Sequence, residues 1–174
     1  MKKLIKITSV LVILILLVTG CVDKKEENTN TKGNKVKKTS DLVDNVGSLS
    51  CTRTGSVENG NGEFNYIVNY QDGEIVEIYS IESVSSDSQD VLKEYEEAYR
   101  KIDSYYEDIE NYVTEIRLEE NKVTHIIDIN YKKIDIKKLI ELEGEEDNIF
   151  EDNKPMLNKW LELSKKLGVS CYEL

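Results

Sequence analysis

"EFNYIVNYQDGEIVEIYSIESVS", residues 63–85, is the stretch that decides how this chain folds. Phe64, Tyr66, Val68 and Tyr70 alternate with polar or smaller residues, the period of a half-buried strand. "DG" at 72–73 is a turn signal with a mechanism, because both residues accept positive φ at low cost. "NGNG" at 59–62 repeats that signal upstream. Three strands near 49–57, 62–71 and 74–84 are therefore expected as a meander.

Downstream the period changes. In "SSDSQDVLKEYEEAYRKIDSYYEDIE", Val91, Tyr95, Ala98, Ile102, Tyr105 and Ile109 recur at three- and four-residue steps. This predicts an amphipathic helix, capped by Ser86 or Asp87, with one apolar stripe. Glu96 to Arg100 and Glu97 to Lys101 have the spacing of supporting ion pairs on its wet side. "NYVTEIRLEENKVTHIIDINYKK" reads as a second hairpin turning near 119–122, with Val123, His125, Ile127, Ile129 and Tyr131 on one face. "IDIKKLIELEG" starts a short helix that Gly144 stops, and "EEDNIFED" is an acidic loop. "NKPMLNKWLELSKKLG" predicts a last helix, with Asn153 as cap, Pro155 in the first turn and Gly168 at the end. Its stripe is Leu157, Trp160, Leu161, Ser164 and Leu167, and "VSCYEL" closes the chain as a strand. The main order, βββ-α-ββ-α-β, implies an α+β domain, a mostly antiparallel sheet with two helices packed on one face. About 125 residues suffice for one modest core.

The N-terminus follows different rules. "MKKLIK" is cationic, and no residue from Ile7 to Gly20 is charged. That run is too short for a spanning helix and has the size of a signal-peptide core. Val18-Thr19-Gly20-Cys21 resembles a bacterial lipobox. The resemblance implies diacylglyceryl transfer to Cys21 and cleavage between Gly20 and Cys21, so that residues 1–20 are a lipoprotein signal peptide. Loss of Lys2, Lys3 and Lys6 with it takes the formal charge from −11 to −14. Residues 21–47 have the Lys-, Asn-, Thr- and Glu-rich composition of a flexible tether, with a reach of roughly 25 to 30 Å. Residues 48–174 form the folded domain. The expected location is the extracytoplasmic side of a cell membrane, held by acyl chains on Cys21.

Over residues 48–174 the chain resembles the YehR-like family of small bacterial lipoproteins. The likeness rests on "LSCTRTG" opening a hairpin, the long acidic helix, the "VTHIIDINY" strand, and a last helix running into "LGVSCYEL". The loop "EGEEDNIFEDN" lies outside it. The resemblance implies a fold and a location. It brings no catalytic residues, because the family has no assigned activity.

Setting Cys21 aside leaves Cys51 and Cys171, on the first and last strands. An extracytoplasmic location favours a disulfide between them, against two buried thiols or a metal pair. Metal fits poorly, since no third or fourth Cys or His ligand is near. His125, the one histidine, sits between Val123 and Ile127 on an apolar face, where a structural role outweighs that of a base or ligand. Glu145, Glu146, Asp147, Glu151 and Asp152 lack EF-hand spacing and read as a solvated acidic loop. Tyr95, Tyr99, Tyr105 and Tyr106 suit a core edge better than a ligand platform.

No nucleophile elbow or phosphate-cradling loop occurs. Acids outnumber bases, 34 to 23, which excludes nucleic-acid binding through a basic footprint. No cofactor or metal and no catalysis is expected. The partners expected are the bilayer and an envelope protein or a small ligand, with the chain a monomer. The first functional expectation is a non-catalytic envelope binding or interaction module. The alternative is an extracytoplasmic domain that binds a small ligand or acts weakly as an enzyme, distinguished by a cleft with convergent polar groups.

Overall fold

The computed structural model describes residues 46–57, 59–144 and 148–174. The expected signal peptide, Cys21 and the expected tether up to Asn45 lie outside the described residues. The chain is α+β, built on a mostly antiparallel sheet.

Strands β1 (Gly47–Val57), β2 (Gly60–Gln71) and β3 (Glu74–Ser85) form the expected meander. Asp72 and Gly73 make the turn between β2 and β3, both at positive φ. At the other end of β2, a Cβ on Gly60 would collide with the Ser85 carbonyl, so the close approach of β2 to β3 there requires glycine. Helix α1 (Gln89–Tyr106) follows, then the hairpin β4 (Tyr112–Glu119) and β5 (Lys122–Asn130). Helix α2 (Ile136–Glu143), the two-residue strands β6 (Phe150–Glu151) and β7 (Lys154–Pro155), helix α3 (Leu157–Lys166) and strand β8 (Ser170–Glu173) complete the chain. The six long-paired strands lie in the order β4-β5-β3-β2-β1-β8, every neighbour antiparallel.

One irregularity sets which residues of β3 face inward. Tyr70 pairs with Ile75, but Asn69 pairs with Glu77, leaving Val76 as a bulge. The alternation changes phase across it, so that Ile75 and then Ile78, Ser80, Glu82 and Val84 lie on the buried face. That face also carries Leu49, Cys51, Val68 and Val123, each with no exposed surface.

The helices cover this inner face. Tyr99 of α1 lies 4.6 Å from His125, and Tyr106 stacks on Tyr112 at 4.4 Å. Trp160 of α3 meets Tyr66 edge-on at 5.9 Å. Between α1 and α3 sits α2, a third helix beyond the two of the main order. Asp135 caps its start by accepting from the Lys138 N–H at 3.1 Å. Gly144, at φ 87°, ends it as expected. Leu139 is its one fully buried residue, and truncation to alanine should cost about 2–5 kcal/mol of stability. Urea unfolding of Leu139→Ala checks this; a loss under 1 kcal/mol would mean that α2 is not docked.

Several local expectations are corrected. The cap of α1 is Ser88, whose hydroxyl accepts from the Val91 N–H. Ser86 is engaged elsewhere: its hydroxyl donates to the Asn59 carbonyl and accepts from the Ser88 N–H. The buried stripe of α1 is Leu92, Tyr95, Tyr99, Ile102 and Tyr106, one residue round from the expected line. Packing of Tyr99 and Tyr106 against the sheet selects it over Val91 and Tyr105. Arg100 pairs with Glu96 as spaced, but Glu97 lies by Lys93, not Lys101. Asn153 does not cap α3. Asp152 and Asn153 both adopt positive φ and turn the β6–β7 hairpin, which places Pro155 in a strand and starts α3 at Leu157. Leu157, Trp160 and Ser164 are then its buried stripe, and Gly168 at φ 76° follows its end.

Candidate functional site

Burying a sheet face under helices requires that face to be apolar, and here it is not. Ser80 and Glu82 occupy two of the inward positions of β3, with 3 % and 5 % of their surface exposed. Both line a cavity of about 70 Å³ between the sheet and the helices. β2 contributes Tyr66; β4 and β5 contribute Tyr112, Ile127 and Ile129, and Tyr131 follows β5. Glu143, the last residue of α2, faces it from above, and Trp160 and Leu163 of α3 complete one side. The wall runs from fully buried Trp160 and Glu82 to half-buried Tyr112, Tyr131 and Glu143, which mark the side toward solvent.

The hydrogen bonding around this space is incomplete. The Tyr66 hydroxyl donates to Glu82 Oε1 at 3.2 Å. Glu82 Oε2, Ser80 Oγ and Trp160 Nε1 are buried without any hydrogen-bond partner. Each such group costs about 1–3 kcal/mol, so three on one small cavity call for an occupant, be it water or a ligand. The cavity has room for a few waters or a ligand with a handful of non-hydrogen atoms.

Both carboxyls are held away from their ordinary behaviour. Burial pushes Glu82 up to about 7, with the His125 ring and the Tyr66 hydroxyl pulling partly back. Burial likewise pushes Glu143 up to about 7, offset in part by the Tyr106 hydroxyl. The hydroxyls of Tyr66, Tyr112 and Tyr131 are all raised by burial first, and so stay neutral at physiological pH. Two carboxyls poised near neutrality among aromatic rings can hold or release a proton, or pair with a cation.

Behind this cavity His125 is fully buried, and its Nε2 lies 2.7 Å from Asp103 Oδ1 of α1. Its ring packs against Tyr99, and its Nδ1 is buried without a hydrogen-bond partner, so the expected structural histidine is satisfied at one nitrogen only. Of the tyrosines on α1, Tyr95, Tyr99 and Tyr106 are core residues and Tyr105 is half-buried. Cys51 and Cys171 face each other across β1 and β8 and are joined in a disulfide, with a Cα separation of 4.0 Å. Gly20 and Cys21 lie outside the described residues, as do Glu145, Glu146 and Asp147. Glu151 belongs to β6 and Asp152 to the turn after it, so the acidic segment is partly a hairpin. Among the described residues no three His, Cys, Asp or Glu side chains are grouped to hold a metal ion.

Sequence places Tyr66, Tyr131 and Trp160 on buried faces but gives none of the cavity's polar residues a functional role, and it does not single out Ser80, Glu82, Tyr112 or Glu143. A signal existed for two of them: Ser80 and Glu82 share parity with Ile78 and Val84, apolar residues that want the core.

The fold is similar to that of the E. coli YehR protein, solved by NMR. The TM-score is 0.55 over 75 % of this chain and 94 % of that one, at 16 % sequence identity. A protein from Streptococcus pneumoniae TIGR4, also solved by NMR, aligns at a TM-score of 0.46 over 89 % of this chain and 100 % of that one, with 16 % identity. No family model and no curated protein matches the chain. The likeness to the E. coli structure makes the fold YehR-like.

Proposed function

We propose, from the YehR-like fold and the lipobox together, that this chain is a small bacterial lipoprotein anchored through Cys21 on the extracytoplasmic side of the membrane, and that its domain binds a small ligand in the cavity beneath the helices. The anchor is supported by Val18-Thr19-Gly20-Cys21 behind an uncharged run, and by the polar tether that follows. Membrane-extracted protein should have the intact mass of residues 21–174 plus a diacylglyceryl group. A mass that retains Met1 to Gly20 without lipid would sink the anchor.

The observation that carries ligand binding is the gathering of Glu82 Oε2, Ser80 Oγ and Trp160 Nε1, all buried and unpartnered, around one cavity. It favours the small-ligand reading over a surface that only docks an envelope protein. Trp160 is the chain's one tryptophan, so its emission reports on the cavity directly. Detergent-solubilised full-length protein titrated with ethylammonium chloride, ethanol, acetamide and sodium acetate should give a saturable change with at least one probe. Silence toward all four would overturn the ligand reading.

A further inference from the structure

We infer that the cavity between the sheet and the helices selects a compact ammonium cation, held between the carboxyl groups of Glu82 and Glu143 and the surrounding aromatic rings. This rests on the proposal that the cavity is a ligand site, and it names the chemical class of the ligand.

Charge comes first. Among the described residues two carboxyls line the cavity, and no lysine, arginine or histidine does. His125 lies outside the lining and is engaged with Asp103 through Nε2. An anionic ligand would meet two acidic groups with nothing to pair against, in surroundings that screen poorly. Hydrogen bonding comes second. Glu82 is nine-tenths or more buried, and its Oε2 is an acceptor lacking a donor. An ammonium brings only donors, in the number this acceptor, Ser80 Oγ and the Glu143 carboxyl can use. The walls come third. Tyr66, Tyr112, Tyr131 and Trp160 surround the space, and aromatic rings attract a desolvated cation. A cavity of about 70 Å³ then limits the cation to a few non-hydrogen atoms. Trp160 Nε1 remains a donor for a water or for a neutral oxygen on the ligand.

Cation binding requires at least one ionised carboxyl, so affinity depends on pH. Glu82 is faced by Tyr66 of β2, His125 of β5 and Tyr99 of α1. Glu143 is faced by Tyr106 of α1, Tyr112 of β4 and Tyr131. All of these tyrosines are raised and stay neutral, so of the groups lining the cavity the two carboxyls are the ones that change charge between pH 5.5 and 8. With both carboxyls near 7 and one ionised group sufficient, binding should weaken about 16-fold from pH 8 to pH 5.5.

The test is the titration of full-length, detergent-solubilised protein with ethylammonium chloride, ethanol and sodium acetate at matched ionic strength, read by Trp160 emission. Ethylammonium should saturate at concentrations at least tenfold lower than ethanol or acetate, more tightly at pH 8 than at pH 5.5. Glu82→Gln and Glu143→Gln should each weaken it at least tenfold, circular dichroism showing that each variant is folded. Ethanol or acetate binding as well as ethylammonium, or ethylammonium binding unchanged in both variants, overturns the cation inference while leaving a ligand site. Silence toward every probe removes the ligand site as well.

Discussion

Reduction of the Cys51–Cys171 disulfide should lower the stability of the domain by about 5 kcal/mol. The bond closes a loop of 120 residues, which is nearly the whole folded part. On the chain-entropy account, opening a loop of that size returns about 4.9 kcal/mol of conformational freedom to the unfolded state. A local effect acts in the same direction. β8 is four residues long and lies at the sheet edge, paired only from Leu49↔Glu173 to Thr52↔Ser170. So short an edge strand has little of its own to hold it once the covalent link is gone. Urea unfolding of oxidised and reduced protein, with unchanged sequence, measures the difference without adding a cavity at Cys51. A difference under 1 kcal/mol would mean that the bond constrains little, and free thiols in secreted material would remove it altogether. A loss of about 5 kcal/mol is a large share of the roughly 5–15 kcal/mol by which domains are stable.

The second large effect is a dependence of stability on pH that runs against the usual carboxylate pattern. Glu82 titrates near 4.5 in an unfolded chain and near 7 in the fold, because burial disfavours its charge. Its folded pKa lies above its unfolded one, so the protonated carboxyl is the form that the fold prefers. Stability is then fully present below about pH 4.5 and falls as pH rises through 7. In the ligand-free protein the loss builds up between about pH 4.5 and 7 and totals about 3 kcal/mol for this one group. Glu82→Gln replaces it with a neutral side chain of the same shape. The variant should match the original at pH 4 and exceed it by about 3 kcal/mol at pH 8.5, measured by urea unfolding at both values. Glu143 has the same direction of shift, so some slope should persist until it too is replaced. If Glu82→Gln loses stability in parallel with the original chain between pH 4 and 8.5, the carboxyl is not buried as described. A gain in stability on removing a charged core residue would itself point to a site kept for binding.

Much of the fold was legible from short-range signals. Alternation in 63–70 and 123–131, "DG" at 72–73 and three- and four-residue steps in α1 and α3 each act over a few residues. They predicted nearly every element and their order along the chain. The positions of Cys51 and Cys171 on the first and last strands were legible for the same reason. The misreadings were also local. "EDNK" could open a helix or a tight hairpin, and the bonds that hold the hairpin in place lie beyond the two exposed positive-φ residues that turn β6 into β7. The Met156 N–H donates to the Ile149 carbonyl, and Leu157 donates to the Gly73 carbonyl of the β2–β3 turn.

Sequence alone therefore established a signal-like N-terminus, an α+β class and a cysteine on each terminal strand, since each follows from neighbours along the chain. It did not establish the cavity. Read with unbroken alternation from Ile75, β3 would have turned Tyr79 and Ile81 inward and left Glu82 in solvent. The bulge at Val76 reverses this. Its carbonyl accepts from the N–H of Tyr131, on the far side of α1 and of the second hairpin, at 2.9 Å. A phase change held by a partner so distant in the chain leaves only an ambiguous local pattern, with Ile75 on one parity and Ile78 and Val84 on the other. Yet it is what brings Ser80 and Glu82 beneath the helices, into the wall they share with Glu143 and Trp160, and so creates the cavity on which the functional proposal stands.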